Sequence, residues 1–397
     1  MYKKILYSFI IVGFIGVVVY ALFFRTKDEI TALTQTWETP VPHQEIPEGL
    51  VSLKSEDCGV CHQEHYAEWK LSTHAHAWTD LQFQAELDKD SSPFMCINCH
   101  IPLQNQQEYI VSGLINGDIY KPVKEKNPFF DPVLQQEGIN CASCHVRNGE
   151  IVGVIGSELA PHKVRKAPEL LTEELCIGCH NANAVITPTL ACTFETGDEW
   201  KAGPFYGKKN CKSCHMPEVM RAIVPGYPVR KSHRHFFTGS GIPKFDTVQT
   251  TVLNGLAFYP AKVAKEYAVN EAFGFDIRLK NENAGHRVPS GDPERYILIH
   301  LSLENEDSKV LKEETFRIGE EWEWYPEAKK LDDNNMNPGE ERTYKIDAVL
   351  NKPGIYTVKA VVTKHRLSEK MAEVNNLGEN YPRFITIFEE DYMFSVK

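Results

Sequence analysis

The chain has 397 residues, enough for two domains and additional terminal segments. Charged residues make up 24% and hydrophobic residues 42%, the balance of a folded body. A formal net charge of -11 argues against a nucleic-acid partner, which needs a basic face, and favours a protein partner with a basic contact surface.

Lys3 and Lys4 open the chain, and residues 5–24 then run for 20 positions without a charge. At about 1.5 Å per residue such a helix spans roughly 30 Å, the thickness of a hydrocarbon core. Val19-Tyr20-Ala21 is a weak small-x-small cleavage site, but the apolar run continues through Leu22, Phe23 and Phe24. Residues 1–24 are therefore read as an uncleaved signal-anchor, a transmembrane helix. Arg25 and Lys27 balance Lys3 and Lys4, so flanking charge does not set the orientation. Residues 25–48 carry Pro40, Pro42 and Pro47 among polar residues and read as an extended stalk.

Eleven cysteines follow, and ten fall into five Cys-x-x-Cys-His groups. These are Cys58-Gly59-Val60-Cys61-His62, Cys96-Ile97-Asn98-Cys99-His100, Cys141-Ala142-Ser143-Cys144-His145, Cys176-Ile177-Gly178-Cys179-His180 and Cys211-Lys212-Ser213-Cys214-His215. Chance would supply on the order of 0.01 such groups in a chain of this composition. The chemistry that needs this spacing is c-type haem attachment. Two thiols add to the vinyl groups, and the adjacent histidine is held under the iron. Zinc ribbons pair Cys-x-x-Cys units to complete four ligands, and thiol oxidoreductases do not require the following histidine. Successive groups begin 35 to 45 residues apart, too few to build an independent core between them. Five covalent haems c are therefore expected to form much of the core of residues 49–243, in a mostly helical and irregular multihaem domain. Haem ligation on the exported side places the body in the periplasm or outside the cell membrane. Cys192 is left over and reads as a buried thiol.

Ten histidines lie outside the motifs. A second axial histidine closes an iron to substrate, whereas an empty position admits a small molecule. His74 is preferred as such a ligand, with His76 as its alternative. His162, beside Pro161, is a further candidate. His233 and His235, two residues apart, would point opposite ways in an extended segment and serve different haems. His65 sits too close to the first motif and reads as solvated. His43 and His365 read as exposed, and His300 as structural.

After residue 244 the cysteines stop. Residues 273–279, 296–303, 344–350 and 356–362 alternate apolar and polar, the mark of half-buried strands. Residues 244–397 therefore read as an all-β, immunoglobulin-like sandwich, with a helix possible between residues 255 and 272. Asn283-Ala284-Gly285-His286-Arg287-Val288-Pro289-Ser290-Gly291 is a tight loop from which His286 could reach across and ligate a haem; the alternative is a plain connecting loop.

The first motif with Tyr66, Trp69, Ser72 and His74-Ala75 resembles the opening of the cytochrome c-554 family of periplasmic multihaem cytochromes. The last motif with Met216-Pro217, His235, Phe237 and Gly239 resembles its close, so the resemblance spans roughly residues 55–240. It implies mostly bis-histidine haems in stacked or near-perpendicular pairs and a role in electron transfer; the family's tetrahaem founder takes electrons from hydroxylamine oxidoreductase. The loop around His286 is similar to a Gly-His-x-x-Pro-Thr-Gly loop of β-domains in related proteins, which implies an axial role. Five motifs, an apolar N-terminal segment and a β-domain depart from the family pattern. The function expected is that of a membrane-anchored electron carrier working with redox proteins or a quinol-oxidising membrane complex. The alternative is an oxidoreductase acting on a small nitrogen or sulfur compound at one five-coordinate haem, and no catalytic side chain is assigned.

Overall fold

The structure, a computed structural model, describes residues 28–34, 38–89, 94–245, 253 and 255–397, with backbone alone at 184–187. The expected anchor lies outside the described residues. Among those residues no helix is long and apolar enough to cross a membrane.

The described part of the expected stalk lies on the body instead of lifting it. Ile30–Thr31 pairs antiparallel with Tyr109–Ile115. The backbone of Val41 donates to Pro102 at 2.7 Å and accepts from Gln104 at 2.9 Å. Gln44 is buried, and its backbone N–H donates to Asn105 Oδ1 at 2.9 Å. Proline does favour extended backbone here, but the extended segment finds polar partners along residues 102–105 and docks on them.

Residues 49–243 contain short helices, several of them around the Cys-x-x-Cys-His groups, joined by hairpins that the sequence reading passed over. Tyr109–Ile115 pairs with Pro122–Lys126, Leu190–Phe194 with Ala182–Thr187, and Glu218–Ala222 with Val229–His233. Val146–Arg147, Glu150–Gly153 and Val164–Lys166 make a small three-stranded sheet. These strands are short, and most face the cavity described below rather than a continuous apolar core, so they lack clean alternation.

Residues 255–397 form two sheets around one core. Ala272–Asn281 lies between Leu256–Pro260 and Glu341–Val349. The second sheet runs Glu266–Tyr267, Phe384–Val396, Gly354–His365, Tyr296–Asn305, Val310–Glu323 and Lys329–Asp333 in spatial order. Alternate residues point inward: Phe273, Phe275, Ile277 and Leu279 from one sheet meet Ile299, Leu301, Val358 and Val362 from the other. The helix considered between residues 255 and 272 is absent; Leu256–Pro260 and Glu266–Tyr267 are strands there. Pairing with longer neighbours supplies what local propensity did not.

Apolar burial is uneven. The β half holds a cluster of 20 buried side chains, whereas the motif half holds clusters of five and three among its described residues. Ionic contacts share the work there. Glu68, on the helix Gln63–Lys70, is buried and accepts from Arg221 Nη1 at 2.6 Å, Arg221 Nη2 at 3.0 Å, Arg234 Nη1 at 2.7 Å and the His235 backbone N–H at 2.7 Å. Burial alone would raise its pKa, but the bonds from Arg221, His235 and Arg234 outweigh it and hold the carboxyl below its usual value.

Replacing Glu68 with Ala leaves the buried Arg221 without its bidentate partner and should cost about 3–5 kcal/mol in denaturant unfolding. Because the folded pKa is depressed, the stability this carboxylate contributes is present at neutral pH. It is lost as pH falls below 4.5, the ordinary value for a glutamate, toward the folded pKa, and Glu68→Gln should flatten that acid limb. In the β half, Leu301→Ala should cost about 2–5 kcal/mol, read as a lower Tm.

Candidate haem-binding cavity

In four motifs the cysteines and histidine lie within one helix: Phe94–His100, Cys141–His145, Glu173–His180 and Cys211–His215. In the first motif, Ser55–Gly59 ends just before Cys61. Two of the turns close by a reciprocal cap. Asn140 Oδ1 accepts from the Ser143 N–H at 2.9 Å while the Asn140 N–H donates to Ser143 Oγ at 3.2 Å. Asn210 and Ser213 repeat this at 3.1 and 3.3 Å. The cap satisfies N–H groups at the helix start and fixes the turn that carries both thiols. The pattern Asn-Cys-x-Ser-Cys-His is readable in the sequence, though the reading above did not use it.

All five motifs line one connected cavity of about 2210 Å³. That is about twice the upper end of the usual range for a single small-molecule pocket, roughly 1,000 Å³. Within it the side chains of Cys58 and Cys141, of Cys99 and Cys179, and of Cys176 and Cys211 are in contact. Cys144 lies near enough to Cys179 to interact electrostatically. In space the motifs thus run first, third, fourth, with the second and fifth both placed against the fourth.

Histidine rings then pair across the cavity. His62 faces His162, His74 faces His180, His145 faces His235 and His215 faces His286, each with ring centroids 6.3 Å apart. With about 2.0 Å from metal to nitrogen and about 1.1 Å from nitrogen to ring centroid, two imidazoles on opposite sides of one metal would stand roughly 6.2 Å apart. The repeated separation of the four pairs matches the room that such a metal would need. Two thiols in each motif, opposed imidazoles and a large apolar-lined cavity fit haem c.

The rings are aimed by their second nitrogens. His62 Nδ1 meets Ile223 O at 3.3 Å, His100 meets Ala77 O at 2.7 Å, His145 meets Val152 O at 3.0 Å and His215 meets Thr238 O at 2.5 Å. Opposite them, His235 Nδ1 meets His233 O at 2.9 Å and His286 Nδ1 meets Arg287 O at 2.7 Å. A carbonyl accepting from Nδ1 leaves the Nε2 lone pair free to bind metal. Burial, the first cause in each case, keeps these rings neutral. It pulls His74 down to about 3, with His180 adding to the effect, and His180, His235 and His100 to about 4. His62, His145, His162, His215 and His286 also lie below the usual value, again through burial first.

His100 is different. Its ring stacks on Phe83 at 3.5 Å, and among the described residues no histidine faces it at the spacing of the other pairs. His76 does not fill that place: its Nε2 meets Lys70 O at 3.0 Å and its ring lies edge-on to Phe245. Among the described residues His233 faces no motif histidine at that spacing either; it ends a hairpin strand, with its Nδ1 2.6 Å from Met216 O. His65, expected in solvent, is half-buried between His62 and His235, with Nε2 3.0 Å from Ser232 Oγ. Burial takes its pKa down to about 3. His43 and His365, expected to be exposed, stack on Phe129 and on Tyr296.

The His286 loop is gripped from the motif domain by the helix Thr196–Ala202. Glu199 Oε2 accepts from Ser290 Oγ at 2.7 Å and from the Arg287 N–H at 3.3 Å, and Thr196 Oγ1 lies 2.7 Å from Ser290 Oγ. A Cβ at Gly203 would stand 2.0 Å from Gly285 O, so only glycine lets the two backbones meet. Gly138 does the same for His74. It has φ +58°, and a Cβ there would lie 2.7 Å from His74 O.

No curated protein sequence matches the chain. The sequence profile of the family described as cytochrome c554 and c-prime matches residues 57–116, which hold the first two motifs. Among solved structures, the penta-heme cytochrome c552 from Thermochromatium tepidum matches 88% of this chain and 100% of its own, at 18% identity and TM-score 0.60, and so shares the fold. The CARDB domain of the PF1109 protein from Pyrococcus furiosus covers 36% of this chain at 15% identity, but its TM-score of 0.18 carries no argument. The chain is thus similar to cytochrome c554 and c-prime over its first two motifs and shares the fold of a penta-heme cytochrome c, and the residues that line its cavity fit haem c.

Proposed function

We infer that the chain is a five-haem electron carrier with four bis-histidine irons. The observation that carries this reading is the repeated 6.3 Å separation of four histidine pairs. When bound, haem c supplies one-electron transfer at each iron. The protein's part is to hold, orient and insulate. The five cysteine pairs anchor the groups through thioethers. His62, His100, His145, His180 and His215 would provide the proximal nitrogens. His162, His74, His235 and His286 would provide the distal nitrogens for the first, fourth, third and fifth motifs. The contacts between motifs favour a relay through the first, third and fourth, with the second and fifth as branches. The exported location, the membrane attachment through residues 1–24 and redox-protein or quinol-oxidising partners belong to this proposal, and the attachment chemistry and apolar start of the chain support them.

A second reading has its own observation, the lack of a histidine facing His100. At that iron a small nitrogen or sulfur compound could bind, and the chain would then act as an oxidoreductase.

The intact mass of the protein, made in a host with cytochrome maturation machinery, should exceed the polypeptide mass by five haems; a colourless product would reject the reading. Electron paramagnetic resonance of the oxidised protein should show low-spin signals from the four paired sites. A high-spin signal that moves on adding nitrite, hydroxylamine or cyanide would select the second reading. His286→Ala should turn one low-spin haem high-spin, whereas His233→Ala should leave the spectrum unchanged. Gly203→Ala should reproduce the His286→Ala spectrum in part, because it pushes the loop away without touching a ligand.

A further inference from the structure

A group of mostly half-buried cations at the domain interface has too few carboxylates. Lys244, Arg295, Lys364 and Arg366 all border the haem cavity. Asp80 is the one carboxylate paired with them: it is ion-paired to Lys244 and lies 3.5 Å from Arg366 Nη1, and Tyr381 donates to it at 2.7 Å. Arg295 donates to Ser290 O at 3.1 Å, and Lys364 to Leu253 O at 3.1 Å. Among the described residues neither of these two has an ion-pair partner. Asp292 acts on Arg295 from outside pairing distance. Glu86 and Glu294 do not supply the missing charge. They share the Gln82 amide at 3.1 and 3.2 Å, and burial, reinforced by Asp292, raises them to about 8 and about 9, the range of neutral acids at pH 7.

Stranded cations of this kind are costly to bury. Burial and Arg295 together lower Lys364 to about 8, and burial lowers Lys244 to about 8 despite Asp80. Their positions point to particular groups. Arg295 is the first charge felt by His180, and Lys244 the first felt by His100. These are the proximal histidines of the fourth and second motifs, whose Cys179 and Cys99 touch.

We propose that Arg295 and Lys364 of the β-domain, with Lys244 of the connecting segment, bind the propionate carboxylates of the haems held at the second and fourth motifs. The β-domain then does two things for the motif domain: it donates an imidazole at the fifth motif and neutralises carboxylates at two others. The inference rests on haem c occupying these motifs, as proposed above. A free small anion shares the carboxylate's chemistry, and the test separates the two.

The experiment is potentiometric titration of the haem-loaded protein and its variants, with haem content measured by mass. Arg295→Gln removes a positive charge, which favours the oxidised iron. The midpoint of at least one haem should fall so that the reduced-to-oxidised ratio at fixed poise drops about tenfold, which is 59 mV for one electron. Arg295→Lys should restore most of it. Lys364→Gln, which loses only a bond to a backbone carbonyl, should act in the same direction and serves if Arg295→Gln does not accumulate. Unchanged midpoints at full haem content would overturn the proposal. So would a wild-type midpoint that shifts with millimolar nitrite or sulfate and loses that dependence in Arg295→Gln, since the cations would then hold a free anion. Haem content below five in the wild type would fault the underlying reading instead.

Discussion

Iron takes a lone pair only from a neutral imidazole, so every axial histidine must be kept uncharged and aimed. Most of the motif domain can be understood from that requirement. Burial holds His74, His180 and His235 well below neutrality, and backbone carbonyls hold Nδ1 of most of the paired rings. Those carbonyls come from the hairpins and loops: Val152 lies in a strand and Thr238 in the turn after the last hairpin. The short strands of this domain therefore position ligands more than they bury apolar surface. This explains how 195 residues between positions 49 and 243 can fold with only small clusters of packed side chains.

The same requirement separates what the sequence discloses from what it conceals. Attachment is local, five residues in one turn, so all the motifs are legible from spacing alone. Pairing is not local. His74 follows the first motif but faces His180 of the fourth; His162 lies between the third and fourth but faces His62 of the first. His233 and His235 look equivalent in sequence, and only hairpin register turns one to Met216 O and the other to His145. The β strands were legible because they carry their own alternation on a packed core. The docking of residues 28–34 and 38–48 was not, because proline marks extended backbone without saying what lies beside it.

The β-domain is joined to the motif domain by chemistry as well as by contact. The loop carrying His286 is fixed on its own side by Arg287, whose Nη1 reaches Asp333 at 2.8 Å, and on the other side by Glu199. Neither grip would suffice alone: an imidazole on a loop free to move by an ångström would not hold the separation seen from His215. An axial ligand placed on a second domain, as proposed for His286, would tie the coordination of the fifth site to the docking of the whole sandwich.

The unpaired His100 follows from the same economy. The segment nearest to it is residues 72–80, which holds two histidines. Its Ala77 carbonyl braces His100 Nδ1, so this segment meets the ring at the nitrogen that would not bind a metal. His76, on the same segment, is held by Lys70 O. His74 has already been directed to the fourth motif by the close approach of Gly138. Asp80, held by Lys244, Arg366 and Tyr381, pins the far end of the segment. The second site therefore differs because its neighbouring histidines make other contacts on a segment fixed at both ends.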